Sequence, residues 1–205
     1  MRAMLQQAML VCGLLMTVPG AVADPGAGPS HAHPDAVDLL GVPGVQQVGG
    51  QAYHLAFVGP RAANGFVLQE YLPEGQELGS YTDMLLLNHL PTDASPLQFA
   101  QDQLERVRQR RTAGDTLANG ELLQGRDGTA VLDFLMSTIL PDGRLVVEWN
   151  AYHYRRQAGG IAMTALSRRA YGEQDADAFL RGLSARRHGD RERLLAWSPQ
   201  VRLSP

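Results

Sequence analysis

The chain has 205 residues, 44% of them apolar and 19% charged, and a formal net charge of −3. This size and composition are typical of a folded globular protein and exclude a largely disordered chain. A mildly acidic chain offers little attraction to phosphate backbones, so we expect no nucleic-acid partner.

The first 23 residues predict a secretory signal peptide. Met1-Arg2 gives a positive start, residues 8–18 form an uncharged apolar run, and Ala21-Val22-Ala23 matches an A-x-A cleavage signal. The apolar run is too short to cross a hydrocarbon core of about 30 Å. We therefore expect cleavage before Asp24 and a periplasmic or secreted protein that keeps no integral membrane span. An uncleaved anchor is the alternative.

Cysteine content limits the chemistry of the exported protein. The single cysteine, Cys12, lies within the predicted signal peptide. The exported chain would have no disulfide, thiol nucleophile or zinc–thiolate site, and such domains fit a bacterial periplasm.

Charge is distributed unevenly along the chain. Residues 24–105 carry ten acidic side chains and one arginine, whereas residues 106–205 carry sixteen arginines and eleven acidic side chains. The two halves could dock on each other in one domain. Alternatively, the arginines could form a surface for an anionic partner.

The composition predicts three segments after the signal peptide. Residues 24–50 are rich in proline, glycine and alanine and predict a flexible segment, with one short helix possible around 36–40. Residues 51–198 predict a single α+β domain, and residues 199–205 a C-terminal tail.

The first elements of this domain are strands followed by a helix. Runs rich in β-forming residues predict strands over 51–58, 66–72 and 83–90. Ser95, Pro96 and Gln98 then form an N-terminal capping signal. The helix should bury Leu97, Ala100, Leu104 and Val107 and end near Gly114.

Four strands and further helices complete the prediction. Turn residues separate strands over 117–124, 129–140, 144–156 and 161–171, and the third strand alternates with a period of two. A helix should begin near Asp175 and stop at Gly189, with Asp190 capping a short last helix. This order predicts an α+β fold in which helices pack on an antiparallel sheet.

The layout resembles the PsbP-like family, which includes DcrB-related exported proteins. The segment Phe66–Gly75 runs into Tyr81–Leu85, and the long helix, the meander and Ala165–Gly172 follow. The resemblance covers about residues 51–197 and rests on layout and loop chemistry. It implies an α/β/α sandwich and a non-enzymatic accessory or protein-binding module, with no catalytic residues to transfer. The proline- and glycine-rich N-terminal segment departs from the family pattern.

A tyrosine and arginine cluster is the predicted binding surface. Tyr152, Tyr154 and Arg156 share one strand face, and residues of these types dominate protein interfaces. Arg155, Arg168 and Arg169 should lie near the same end of the hairpin. Packing in a helix-covered sheet is the alternative role.

Catalytic and metal-binding patterns are weak. His31 and His33 could bind a transition metal but sit in the segment predicted to be flexible. His54, His89 and His153 lie in separate predicted strands, and no G-x-S-x-G elbow is present. Four acidic residues close in sequence look like solvated turn residues, namely Glu70, Glu74, Glu77 and Asp83. We therefore predict no catalytic residues, metal or cofactor.

The sequence as a whole predicts an exported, non-enzymatic binding protein whose partner is a protein or a cell-envelope component. A small secreted hydrolase or metal-dependent enzyme, with a site assembled from separated strands, is the alternative. His54 or His89 in a cleft beside a carboxylate or serine would favour the enzyme. Self-assembly through a sheet edge is a third possibility.

Overall fold

The computed structural model describes residues 36–42, 44–59 and 61–203. The predicted signal peptide, His31 and His33 lie outside the described residues. The described part contains eight strands and two helices. In chain order they are β1 Val45–Val48, β2 Gln51–Val58, β3 Val67–Leu72, β4 Asp83–Leu90, α1 Pro96–Thr112, β5 Asn119–Gln124, β6 Ala130–Ile139, β7 Leu145–Gln157, β8 Gly160–Tyr171 and α2 Glu173–Ala196.

All eight strands belong to one sheet in the order β1-β2-β3-β4-β8-β7-β6-β5, and every neighbouring pair is antiparallel. The predicted α+β class, with helices and an antiparallel sheet, is confirmed. The strands predicted over 51–58 and 83–90 have the observed bounds, and the ends of the other predicted strands lie within two residues of the observed ends.

The two helices pack on opposite faces of the sheet. Leu85 and Leu87 of β4 join a buried cluster with Phe179 of α2, whereas Met84 and Leu86 join a second cluster with α1. Because neighbouring strand residues point to opposite faces, these clusters are the two sides of the sheet. Within the described residues, neither helix is long and apolar enough to span a bilayer.

The N-terminus of α1 follows the capping signal in the sequence. Ser95 is the N-cap residue, and its hydroxyl accepts a hydrogen bond of 3.1 Å from the amide of Gln98. Phe99, Ala100, Leu104 and Val107 are buried, while Leu97 is only half-buried. Phe99 therefore takes the place in the buried stripe that the sequence assigned to Leu97.

The prediction of two C-terminal helices is wrong, because α2 continues through Gly189. Arg187 precedes this glycine and binds Asp133 of β6, while Asp190 follows it and binds Arg168 of β8. Contacts with the sheet on both sides hold the backbone helical and outweigh the intrinsic cost of glycine, which is about 1 kcal/mol.

The sequence also missed strand β1, which lies within the segment predicted to be flexible. β1 pairs with β2, and Leu40 and Val42 are buried beside it. The side chain of Gln69 on β3 accepts hydrogen bonds from the amides of Leu39 and Leu40, at 2.8 and 3.0 Å. These long-range contacts order a segment whose composition favours flexibility.

Candidate functional site

The tyrosines of the predicted binding surface are buried. Tyr152 and Tyr154 lie on the α1 side of β7 and are 1% and 4% exposed. The ring of Tyr152 packs edge-on against Phe134, with 4.8 Å between centroids. The sequence therefore assigned both tyrosines to the correct strand face, but that face is part of the core.

The four arginines of that surface bind different parts of the fold. Arg155 donates to the Ser198 hydroxyl, and Arg156 donates to the Thr92 carbonyl. Arg168 binds Asp83 and Asp190, while Arg169 binds the carboxylate of Glu148.

The strand register also separates these arginines. Arg155 lies opposite Ala162, whereas Arg168 lies opposite Trp149, about 20 Å further along the hairpin. The structure does not gather the six residues into one exposed patch, contrary to the expectation that they lie near one end. Partner binding by them stays a prediction.

A buried polar network surrounds Glu148 on the α1 side of the sheet. Glu148 is 0% exposed, accepts from Arg169, and accepts a bond of 2.8 Å from the amide of Asn150. The Arg169 guanidinium also lies 4.0 Å over the ring of Tyr81. Each buried charge of this network faces an opposite charge or a donor, so removal of either partner would leave an uncompensated charge between β7 and β8.

Glu70 lies near this network rather than in a solvated turn, which corrects the sequence interpretation. It belongs to β3 and is half-buried, and Asp83 belongs to β4. The pKa of the Glu70 carboxyl is raised to about 7, mainly because burial disfavours the charged form; Arg169 opposes the increase and Glu148 adds to it. Glu70 can therefore exchange a proton near neutral pH.

His89 and His153 are buried on the other side of the sheet. His89 Nε2 lies 3.2 Å from the Gln157 carbonyl, and His153 lies opposite Thr164. Burial lowers the pKa of both rings, that of His153 to about 4. Within the described residues, neither ring forms an ion pair with a carboxylate, and no group of three acidic, histidine or cysteine residues could hold a metal ion.

Asp133 on β6 forms a charged cluster that the sequence analysis did not identify. It is 1% exposed and accepts a 2.7 Å hydrogen bond from the indole of Trp149. Arg187 and Arg191 of α2 approach its carboxylate to 3.1 and 3.2 Å, and Glu121 lies at 3.8 and 3.9 Å from them. In the sequence, the feature that could have indicated this cluster is the acidic residue within the otherwise apolar run of β6.

A cavity of about 420 Å³ opens beside this cluster, where β5 begins. We call it the edge cavity, because β5 is the last strand of the sheet and, within the described residues, pairs on one side only, with β6. Helices, strands and the α1–β5 loop all line it. The lining residues are Arg111, Thr116, Leu117, Asn119, Gly120, Glu121, Asp133, Phe134, Leu135, Trp149, Leu183 and Arg187.

The charged side chains that line the edge cavity are two arginines and two carboxylates, namely Arg111, Arg187, Glu121 and Asp133. Arg111 donates to the carbonyls of Thr116 and Ala118, both at 3.1 Å. Among the residues that the structure describes, no carboxylate lies within 4.0 Å of its guanidinium. In the described part of the chain, Arg187 and Arg191 share the two carboxylates of Glu121 and Asp133, and Arg111 forms no ion pair.

A second cavity, of about 350 Å³, lies beside the C-terminus of α1 and includes Ile139. Its polar groups bind one another. Asp115 accepts from the amide and hydroxyl of Ser137, at 2.8 and 2.6 Å, and from Arg110 at 3.3 Å. The edge cavity is therefore the better candidate site, because Arg111 there lacks a carboxylate partner in the described part of the chain.

Comparison with known proteins identifies a family but no activity. A family model matches residues 40–195, which is more than half of the chain, and its description names no activity, ligand or partner. No curated protein and no solved structure matches the chain significantly.

Proposed function

We propose that this protein is an exported, non-enzymatic binding protein. The chain belongs to the family whose model matches residues 40–195. It engages a protein or cell-envelope partner through the edge cavity and the open side of β5.

The edge cavity is the observation that carries this proposal. It joins an unpaired strand edge to a pocket in which Arg111 has no carboxylate partner among the described residues. Exposed strand edges are sites where other chains add. Arg111 is exposed, whereas buried charges such as Glu148 with Arg169 and Asp190 with Arg168 have partners inside the fold.

Two further parts of the proposal rest on the sequence. Residues 1–23 have the pattern of a signal peptide, which supports export to the periplasm or the medium. The packing of α1 and α2 on opposite faces supports the α/β/α sandwich of the PsbP-like family. Members of such a family share a fold but not a partner, so the partner must be sought at the site.

Site-specific photo-crosslinking in intact cells tests the proposal. A benzophenone amino acid replaces Leu123 on β5, which is 37% exposed. The matched control replaces Val45, which is 50% exposed and lies on β1, the strand at the opposite end of the sheet. We expect an adduct with an envelope component from position 123 only. Equal adducts from both positions, or none from either, would contradict the proposal.

A further inference from the structure

We propose that residues 198–203, which follow α2, form a strap that closes over His89 of β4, and that protonation of His89 releases this strap. The inference goes beyond the proposed function, because it concerns β3, β4, β7 and β8 and does not involve β5 or the edge cavity.

The strap crosses the strands on the α2 side of the sheet. At β7, Arg155 donates to the Ser198 hydroxyl. At the other end of the strap, the amide of Arg202 donates to the Leu40 carbonyl at 2.7 Å, and the Leu40 amide is bound by Gln69 of β3. Because β8 and β4 lie between β7 and β3 in the sheet, the strap passes over both of them.

His89 lies beneath the middle of the strap. In the strand register it stands between Val67 of β3 and Ala162 of β8, and Ala162 stands opposite Arg155, which binds the strap. Val67 and Ala162 belong to the same buried cluster as Val201 of the strap. Val201 is 5% exposed and His89 is 0% exposed. The strap therefore helps to keep water away from the imidazole ring.

The surroundings of the ring favour its neutral form. Nε2 of His89 lies 3.2 Å from the Gln157 carbonyl, so the proton of the neutral ring belongs on Nε2, which donates to that carbonyl. Nδ1 is buried and has no hydrogen-bond partner among the described residues. A proton on Nδ1 would create a buried charge and a buried donor without an acceptor, which is costly. Opening of the strap would let water bind this donor.

The charges around His89 agree with this assignment. Burial lowers the pKa of His89, the backbone of Gln157 and of Ala158 opposes the decrease, and Arg61 in the loop between β2 and β3 adds to it. Because the ring is more basic in water than under the strap, the strap is held most firmly above pH 6.5 and loosens as the pH falls. The other titratable groups on the surrounding elements are His153 and Arg155 of β7, Arg202 of the strap, and Asp38, which accepts from the Leu40 amide.

Release of the strap would change the surface that the protein presents. The strap has no regular secondary structure, and irregular segments at the end of a domain can open while the rest stays folded. Its departure would expose Val67 and Ala162, which are 0% exposed when it is closed. The apolar surface on the α2 side of the sheet would therefore depend on pH.

Nuclear magnetic resonance of the protein, as cells process it, tests the inference. The heteronuclear NOE of amides 200–203 should show an ordered strap at pH 7 and a mobile one at pH 5. Amide exchange of Arg202, corrected for the intrinsic rate, should indicate an open fraction about tenfold larger at pH 5. The amides of β4 and β8 should stay protected at both pH values. His153, with a pKa of about 4, stays mostly neutral over this range.

Replacement of the histidine tests the source of the response. His89→Gln keeps a donor for the Gln157 carbonyl but takes up no proton, so its strap should open equally at pH 7 and pH 5. His188→Gln is the control, because His188 is exposed on α2, the helix that leads into the strap. This control should keep the response of the wild type.

Val201→Ala tests the same coupling from the strap and leaves His89 in place. The loss of buried methyl groups should raise the open fraction about tenfold at pH 7. By linkage, the pKa of His89, followed through its ring resonances, should then move up towards the ordinary 6.5. Val45→Ala, at an exposed position of β1, should leave this pKa unchanged.

Three outcomes would overturn the inference. They are a strap that opens only together with the amides of β4 and β8, an equal pH response in His89→Gln and the wild type, and an unchanged pKa of His89 in Val201→Ala. If His89→Gln does not fold, the pKa in Val201→Ala decides. Since none of these measurements involves β5, failure of the inference leaves the proposed function standing, and the crosslink from position 123 tests that function separately.

Discussion

His153 illustrates how a single buried side chain links stability to pH. It is 6% exposed, and burial, together with the nearby Arg155, lowers its pKa to about 4. Because this value lies below the ordinary 6.5, the unfolded chain binds the proton first. The contribution of His153 to stability is therefore complete above pH 6.5 and is lost as the pH falls through 4.

We expect this loss to reach roughly 3 kcal/mol of unfolding free energy between pH 6.5 and 4. The variant His153→Gln lacks the titrating ring and should not show this loss. The unfolding free energy of the wild type minus that of the variant should therefore fall by this amount as the pH falls from 6.5 to 4. Urea unfolding at pH 7, 5.5 and 4 measures it, with the exposed His54→Gln as the control. A pH dependence that is unchanged in His153→Gln would contradict the assignment.

Glu70 should have the opposite pH dependence. Burial raises its pKa from 4.5 to about 7, so the folded state binds the proton more tightly than the unfolded chain. Its favourable contribution is present below pH 4.5 and is lost as the pH rises through 7. At pH 8, Glu70→Gln should exceed the wild type in stability by roughly 2 kcal/mol, after allowance for partial exposure.

At pH 4 this variant and the wild type should differ little, because the wild-type carboxyl is then protonated in the folded state. Thermal or urea unfolding at both pH values gives the comparison. Glu74→Gln serves as the control, since Glu74 is exposed in the turn after β3. Equal effects of the two substitutions at pH 8 would show that burial of Glu70 is not the cause.

Among the elements, α2 tests how far contacts with the sheet outweigh the low helix propensity of Gly189. A Cβ added at Gly189 would meet no atom within 4 Å. Gly189→Ala should therefore raise the unfolding free energy by about 1 kcal/mol, since alanine is the better helix former.

Gly160, at the start of β8, is the matched contrast. A Cβ there would lie 2.2 Å from the carbonyl oxygen of Leu90. Gly160→Ala should therefore lower stability, by roughly 1–3 kcal/mol. Urea unfolding of both variants measures the two effects. A destabilised Gly189→Ala would show that the helix needs flexibility at this position.

These elements also show what local sequence can predict. Turn residues and period-two alternation located β2 to β8 closely, because both signals lie within the strands themselves. The continuity of α2 and the existence of β1 depend on contacts with distant residues, such as Asp133 and Gln69. The edge cavity depends on such contacts too, since residues from 111 to 187 line it.

At the scale of the whole molecule, backbone pairing joins the two halves of unequal charge. β4 pairs with β8 over its full length, from Asp83 opposite Arg168 to Leu90 opposite Ile161. Among the described residues, three salt bridges join the acidic first half to arginines of the second, those of Arg108, Arg156 and Arg168. The remaining arginine pairs lie within the second half. Charge attraction between the halves is therefore secondary to the sheet.

Export is the remaining property of the whole chain that can be tested directly. The A-x-A signal at Ala21–Ala23 predicts cleavage before Asp24, because the peptidase site accepts small side chains at the first and third of these positions. Intact-mass measurement of the protein from the periplasm or medium should therefore give the chain 24–205. Ala23→Arg should block cleavage and leave the protein with the mass of the full chain in the membrane fraction.

Val22→Leu is the matched control and should be processed normally, because the middle position of the signal is tolerant. A full-length wild-type protein in the membrane fraction would instead support the uncleaved anchor. The edge cavity would then act beside the membrane, and its partner would be sought there. Normal processing would place the edge cavity and the open side of β5 in the exported space, where a protein or envelope partner can reach both.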